Sequence, residues 1–211
     1  MSNKLAKLAD LRTAIRATDT DHDVELTALL VTASTIAERA AGLKTGSLRR
    51  QEDIVEYPRD TRGQNRFAYL DVRPIESITS IKQLYETSAT LAFDSVTALV
   101  EFEAYTICQA IFGSIERRNA VWYLMPHALQ VTYTGGYADP EDEDLPESAL
   151  LPPEDLQEAV IQQAILMFNT RDMAGIENVS LANGGSYQAK TGMKIHPALE
   201  AAVLRYRRIM L

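Results

Sequence analysis

The chain has 211 residues, of which 46% are hydrophobic and 24% are charged, and 21 basic against 29 acidic side chains give a formal net charge of −8. This length favours one compact domain with a sizeable core. The acidic balance argues against a protein whose main work is to coat nucleic acid, because such proteins carry a surplus of basic residues.

The cysteine count and the apolar runs narrow the class further. Cys108 is the single cysteine, so we expect neither an internal disulfide framework nor a cysteine-based metal cage. No apolar run approaches the roughly 20 residues that a membrane helix needs. Charged residues interrupt the N-terminus every few positions, which is unlike a signal peptide. We therefore expect a soluble, unsecreted protein that makes no contact with membranes.

Apolar residues at helical spacing predict two helices at the start of the chain. The first ends near Ala17. The second begins at Val24, with Asp21 or Asp23 as its N-cap and Gly42 as its stop, since short acidic side chains suit N-caps and glycine suits the position after a helix.

After Gly46 the hydrophobic period changes to that of strands. Two strand-like segments, 48–57 and 67–72, flank a polar stretch with turn residues and arginines, which predicts a hairpin with a long basic tip. Further β segments are expected over 75–85, 91–111 and 128–133.

The last third of the chain returns to helical spacing. Pro152 and Pro153 suit the first turn of a third helix that runs to about Thr170, and Pro197 starts a fourth after an irregular connector over 175–192. The element order predicts an α+β fold, a bundle of about four helices with a β-rich insertion between the second and third helices. Within one compact domain we expect three parts: a helix pair over 1–46, the insertion over 47–137, and the acidic loop, two helices and tail over 138–211.

Charge is unevenly distributed along the chain. Between Asn119 and Thr170 there are nine acidic residues and no lysine or arginine, whereas the C-terminal region is basic. We expect these two regions to attract each other, within one subunit or between neighbouring subunits. The acidic loop consists of Asp139, Glu141, Asp142, Glu143 and Asp144.

No sequence pattern indicates a reactive centre. The histidines His22, His127 and His196 lie outside any zinc-binding spacing. The acidic run 139–144 lacks the glycine and the closing glutamate of an EF-hand loop. Cys108 lies among apolar residues and is expected to be a small buried hydrophobic side chain. We therefore expect a protein that is not an enzyme and that has no cofactor or metal.

Arginines cluster in the predicted hairpin and beside it. Acidic residues are interleaved with them, which favours ion pairs across strands or between subunits. Contact with DNA phosphates is the alternative. The candidates for subunit or partner contacts are Arg49, Arg50, Arg59, Arg62 and Arg66.

Three stretches carry turn and packing residues in a distinctive order. They are VRPIESITSI at 72–81, LQVTYTGGY at 129–137 followed by LPPEDL at 151–156, and Ser186-Tyr187 leading into 197–208. Together with the opening helix pair they resemble the head-to-tail connector (adaptor) family of long-tailed bacteriophages. The stretch 86–125 is longer here than in the shorter members of that family.

The resemblance implies a structural virion protein at the head–tail interface, made in the host cytoplasm. Its subunits form a ring, commonly dodecameric, beneath the portal protein, and the ring bridges the portal to the next head-completion (stopper) or tail protein. We expect double-stranded DNA to pass through the channel without specific binding. Charge repulsion would favour this if the acidic loop lines the channel, while a place at an interface or on the outer surface is equally allowed. The resemblance places portal docking in Arg205, Tyr206, Arg207, Arg208, Ile209 and Met210. The alternative is a DNA-binding or packaging-associated module that uses the arginine-rich hairpin.

Overall fold

The computed structural model describes residues 4–18, 20–58, 61–62, 66–84, 98–99, 101, 103–122, 128–171, 178–180, 186–188 and 195–207. In these ranges the helices are α1 (Leu8–Ile15), α2 (Asp23–Ala40), α3 (Glu154–Thr170) and α4 (Pro197–Val203). The strands are β1 (Gln51–Glu56), β2 (Thr61–Arg62), β3 (Phe67–Tyr69), β4 (Ile75–Gln83), β5 (Tyr105–Gln109), β6 (Ser114–Arg117), β7 (Leu129–Gly135), β8 (Asn178–Ser180) and β9 (Ser186–Gln188). The predicted α+β class is confirmed. Within the same ranges, no helix is long and apolar enough to span a bilayer.

All four helices contribute to one apolar cluster. Leu11, Leu30, Val160 and Leu199, one from each helix, are fully buried there. Burying a leucine or valine side chain stabilises the fold by about 1.5–3 kcal/mol. The helices therefore depend on packing against one another more than on their own helical propensity.

The N-cap and the stop predicted for α2 have different outcomes in the structure. The N-cap prediction was wrong, because His22 holds that position and Asp23 is already the first helical residue, where its carboxylate pairs with Arg12 of α1. The predicted stop is confirmed. Gly42 has a φ of 73° and donates from its amide to the carbonyl of Arg39 at 2.9 Å.

The strands form two antiparallel sheets and a separate β8–β9 pair. The first sheet has the order β1–β7–β4 and the second has the order β2–β3–β6–β5. The predicted hairpin between 48–57 and 67–72 is therefore wrong, since β1 pairs with β7 and β3 pairs with β2 and β6. The central strand β7 buries Val131 and Tyr133 in a second apolar cluster, and long-range burial of this kind outweighs the local turn signal.

A close backbone approach fixes the start of the first sheet. Gly136 has a φ of 91°, and a Cβ atom at this position would lie 2.3 Å from the carbonyl oxygen of Arg49. Glycine is therefore required here for both conformation and space. The amide of Arg50 donates to the carbonyl of Tyr137 at 2.7 Å, which ties the two segments together.

Cys108 is exposed, so the expectation of a buried thiol was wrong. It lies on β5, an edge strand of the second sheet, where Tyr105 is buried and the register shifts between Ile107 and Gln109. Apolar neighbours in the sequence did not reveal which residues of this edge strand face solvent.

Candidate interaction surfaces

Arg49 makes its contacts inside the subunit. Its guanidinium lies 3.3 Å from the carboxylate of Glu38, whose side chain is fully buried on α2. The same carboxylate accepts hydrogen bonds from the amides of Gly46 at 2.8 Å and Leu48 at 3.1 Å. This carboxylate therefore joins α2 to the chain that enters β1.

Arg50 connects both edge strands of the first sheet. Its Nε lies 2.8 Å from Glu76 of β4, and a second ion pair links it to Glu52 of β1. The hydroxyl of Ser148 also donates to Glu76, at 2.6 Å. The hydrogen bond from Arg50 lowers the pKa of Glu76, with burial opposing it and Ser148 adding to the lowering.

Arg66 reaches the surface of the second sheet. Its Nε lies 2.7 Å from the carboxylate of Glu116, and its side chain is 57% exposed. Arg62 lies on β2, which pairs with β3, and Arg59 lies outside the described residues. The arginine candidates are thus divided between internal ion pairs at Arg49 and Arg50 and a surface position at Arg66.

The acidic loop divides into two parts. The Nζ of Lys4 lies 3.2 Å from Asp139 and 2.9 Å from Glu141. Glu141 also accepts hydrogen bonds at the N-terminus of α1, from the amides of Leu8 at 2.6 Å and Ala9 at 3.2 Å. Burial alone would raise the pKa of Glu141, but the hydrogen bonds from Lys4, Ala9 and Leu8 outweigh it and lower that pKa. This part of the loop is a structural clasp on α1.

The rest of the acidic loop faces solvent. Asp142, Glu143 and Asp144 are exposed, and within the described part of the chain no lysine or arginine forms an ion pair with them. A groove of about 680 Å³ lies beside them. Its lining comprises Lys4, Thr27, Arg50, Glu52, Ala138, Asp139, Glu141, Asp142, Glu143 and Leu145.

Residues 205–207, which begin the C-terminal tail, contact the helices. Arg205 lies 2.6 Å from Asp155 at the start of α3, so the attraction between the acidic segment and the basic C-terminal region occurs within one subunit at this pair. Tyr206 is buried and packs edge-to-face on Tyr137, and Arg207 donates to the carbonyl of Ala40 at 3.0 Å.

The docking candidates are therefore unequal in exposure. Tyr206 lies in the helical core, whereas Arg205 and Arg207 are at the surface. Arg208, Ile209 and Met210 lie outside the described residues.

The chain shares its fold with a component of a particle neck. No protein-family model and no curated protein sequence matches this chain. Among solved structures, a chain from the neck of an empty gene transfer agent (GTA) particle, computed with C6 symmetry, aligns over 98% of this chain and 91% of its own length, with a TM-score of 0.55 and 18% identity. A chain from the virion of a native GTA particle aligns over the same shares, with a TM-score of 0.51 and 17% identity.

Two exposed apolar side chains lie near residues 205–207. Leu151, just before α3, is 53% exposed, and Leu204, just after α4, is 55% exposed. The Arg205–Asp155 ion pair joins these two regions. Large apolar side chains beside exposed arginines are a composition typical of protein interfaces.

Two internal networks were not found by sequence reasoning. Lys4 is the cation of the clasp, although nothing in its sequence neighbourhood distinguishes it from other basic residues. Glu56 on β1 accepts hydrogen bonds from the hydroxyl of Tyr133 at 2.6 Å and from the amide of Asp71 at 3.0 Å, and its burial raises its pKa. The alternation of residues along a strand shows only which side chains share a face, so it did not identify Tyr133 as the partner of Glu56.

The described residues contain no candidate metal site. In these ranges no three or more His, Cys, Asp or Glu side chains are grouped in a way that could hold a metal ion.

Proposed function

We propose that this protein is a structural component of a virion neck, where its subunits form a ring beneath the portal. The supporting observation is the fold shared with the GTA neck chain over 98% of this chain. The connector-like stretches at 72–81 and 129–137 agree with it. In this proposal the ring bridges the portal to a head-completion or tail protein, and the role is not enzymatic.

A ring requires two different patches on each subunit, because every copy contacts its neighbours head to tail. Exposed candidates for such patches are Leu151, Leu204 and Arg205 near α3 and α4, and Arg66 at the second sheet. The two separate buried clusters, one of the helices and one of the strands, support a division into helical parts, 1–46 and 138–211, and a β-rich part, 47–137. A ring of twelve subunits is compatible with the C6 symmetry of the GTA neck structure.

DNA passes through the ring in this proposal without being held. The exposed acidic residues Asp142, Glu143 and Asp144 would repel a phosphate backbone wherever they border the channel. The arginines Arg49 and Arg50 form internal ion pairs with carboxylates, which disfavours the alternative of a DNA-binding hairpin.

Portal docking is assigned to the C-terminal tail. Tyr206 anchors the tail in the core, and Arg205 and Arg207 leave the helices at the surface beside Leu151 and Leu204. The remaining tail, 208–211, continues the basic and apolar sequence. A short segment of this composition is suited to ordering on a partner.

Truncation of the tail tests this assignment. Removal of 208–211 leaves Tyr206 and the Arg205–Asp155 pair in place, whereas removal of 205–211 also deletes part of the core. We expect the shorter deletion to abolish capture by purified portal while leaving the melting temperature unchanged. Normal capture of this truncated protein would overturn the docking assignment.

A further inference from the structure

The edge strands of the two sheets differ in how they are protected against further strands. Within the described residues these edges are β1 and β4 in the first sheet and β2 and β5 in the second. An edge strand carries backbone N–H and C=O groups that pair with any strand that reaches them, and charged residues, bulges and short length hinder this. β1 carries Glu52 and Asp53 and is irregular at Asp53, whose φ is 49°. β2 has only two residues, and on β4 the carbonyl of Ile81 already accepts a hydrogen bond from the amide of Leu99 at 2.8 Å.

The outer edge of β5 has none of these protections along most of its length. The segment 104–115, which contains this strand, has no charged residue and no proline. Cys108 and Gln109 are exposed, and Ile111, just beyond the strand, is 50% exposed. Glu101 forms an isolated bridge at the start of the strand, and the rest of β5 has β6 as its only strand neighbour in the described part of the chain. An exposed, uncharged edge of this kind is where another strand adds to a sheet.

The pair formed by β8 and β9 indicates which strand that is. The two strands are antiparallel, with Ser180 opposite Ser186, and among the described residues neither pairs with a strand of the two sheets. A hairpin of two strands is at best marginally stable in water. The segment 178–189 resembles 104–115 in having no charged residue and no proline. A third strand would therefore stabilise the β8–β9 pair, and neither side of the contact would bring a charge to it.

The connections to β8 and β9 are long enough for a contact with another subunit. Seven residues, 171–177, connect α3 to β8, and eight residues, 189–196, connect β9 to α4. An extended chain spans at most about 3.3–3.6 Å per residue, so each connection reaches up to about 25 Å. Neighbouring strands in a sheet lie roughly 4.8 Å apart, so this reach covers several strand positions.

We infer that the β8–β9 pair of one copy adds to the outer edge of β5 in the neighbouring copy, so that the second sheet continues across the subunit boundary. This inference rests on the proposed function, because it needs subunits to assemble around an axis. The contact joins two different patches of the chain, which is what a head-to-tail ring requires. Pairing of β5 with β5 of a second copy is the competing arrangement, and it closes a dimer instead of a ring.

Cross-linking through Cys108 tests the contact, because this is the only cysteine of the chain. Two variants, Ser180→Cys and Ser186→Cys, each add one cysteine to the β8–β9 pair. A bismaleimide cross-linker, which tolerates an offset of a few residues in register, is applied to rings assembled on purified cognate portals. We expect at least one of the two variants to give a ladder of dimers, trimers and larger species on a denaturing gel. The wild-type chain, with one thiol, cannot exceed a dimer, and Thr13→Cys, at an exposed position of α1, is the matched control.

A lysine on the edge strand tests the pairing without an added thiol. Gln109→Lys places a charge on the exposed edge of β5, which hinders the addition of a strand. Thr13→Lys makes the same change of net charge on α1. The readout is the protein concentration at which half of the portal particles carry a ring in negative-stain images. We expect this concentration to rise at least tenfold for Gln109→Lys and to stay within threefold of wild type for Thr13→Lys, while circular dichroism and melting temperature establish that both variants fold.

The possible failures have different meanings. Absence of any ring with the wild-type chain overturns the proposed function together with this inference. If rings form but neither serine variant yields species larger than a dimer, the inference alone is overturned. The same holds if Thr13→Cys gives an equal ladder or if folded Gln109→Lys forms normal rings. Efficient cross-linking of the wild-type chain to dimers would show that β5 pairs with β5, and the inference would be wrong.

Discussion

The carboxylate of Glu38 lies 3.3 Å from the guanidinium of Arg49, and the Glu38 side chain is fully buried. Two backbone amides, those of Gly46 and Leu48, donate to the same carboxylate. A buried carboxylate of this kind is tolerated because these three donors satisfy it. The pair fixes the position of the first sheet relative to α2.

Removing Glu38 should therefore destabilise the whole subunit. We expect Glu38→Ala to lower the free energy of unfolding by about 3–5 kcal/mol, because Arg49 loses its carboxylate partner and two amides lose their acceptor in a buried site. Chemical denaturation followed by circular dichroism measures this. Glu52→Ala is the matched control, since its partner Arg50 keeps Glu76 and exposed ion pairs contribute only about 0–1 kcal/mol. Similar losses in the two variants would contradict the structural role of Glu38.

The Arg50–Glu76 pair should make stability depend on acid. The pKa of Glu76 is lower in the folded protein than the ordinary 4.5. Its stabilising contribution is therefore fully present above the ordinary pKa, and it is lost as the pH falls through the lowered value. We expect Glu76→Gln to reduce the loss of unfolding free energy between neutral pH and about pH 3. An acid dependence identical to wild type in this variant would show that the pair does not contribute.

Exposure of Cys108 predicts ready reaction of its thiol. In the native protein we expect a disulfide reagent such as DTNB to modify Cys108 within about threefold of its rate in the denatured chain at the same pH, since access limits thiol reactivity. Cys108→Ser should abolish the signal without loss of stability. A thiol that reacts far more slowly in the native protein than in the denatured chain would contradict the exposed position and support the buried one that the sequence predicts.

The proposed neck role predicts weak binding of DNA. Because Arg49 and Arg50 are paired internally and the chain carries a net charge of −8, we expect affinity for double-stranded DNA no tighter than about 10⁻⁴–10⁻⁶ M at physiological salt, the range of non-specific binding. Fluorescence anisotropy with a labelled duplex measures it. Much tighter binding with a steep salt dependence would favour the DNA-binding alternative.

Local sequence signals predicted the helices well. Periodic apolar residues found all four helices, and Gly42 marked the end of α2 because its positive φ is a local requirement. Pro197 is the first residue of α4, as predicted. These elements are specified by residues within a few positions, which is why pattern reading succeeds there.

The same local signals could not predict which residues distant in sequence contact one another. The partner of β1 is β7, far along the chain, and its choice depends on burial of Tyr133. Tyr206 packs on Tyr137 in the core, although the family resemblance places it with the docking residues of the tail. Lys4 and Glu38 owe their roles to neighbours brought together only by the fold. Candidate surfaces could thus be located by composition, but not sorted into internal and external contacts.

Electron microscopy of purified cognate portals mixed with the full chain tests the neck role most directly. We expect class averages to show an added ring of density, coaxial with the portal channel and with a central opening wide enough for a DNA duplex. Portals that show no added ring at a large molar excess of the folded chain would contradict that role.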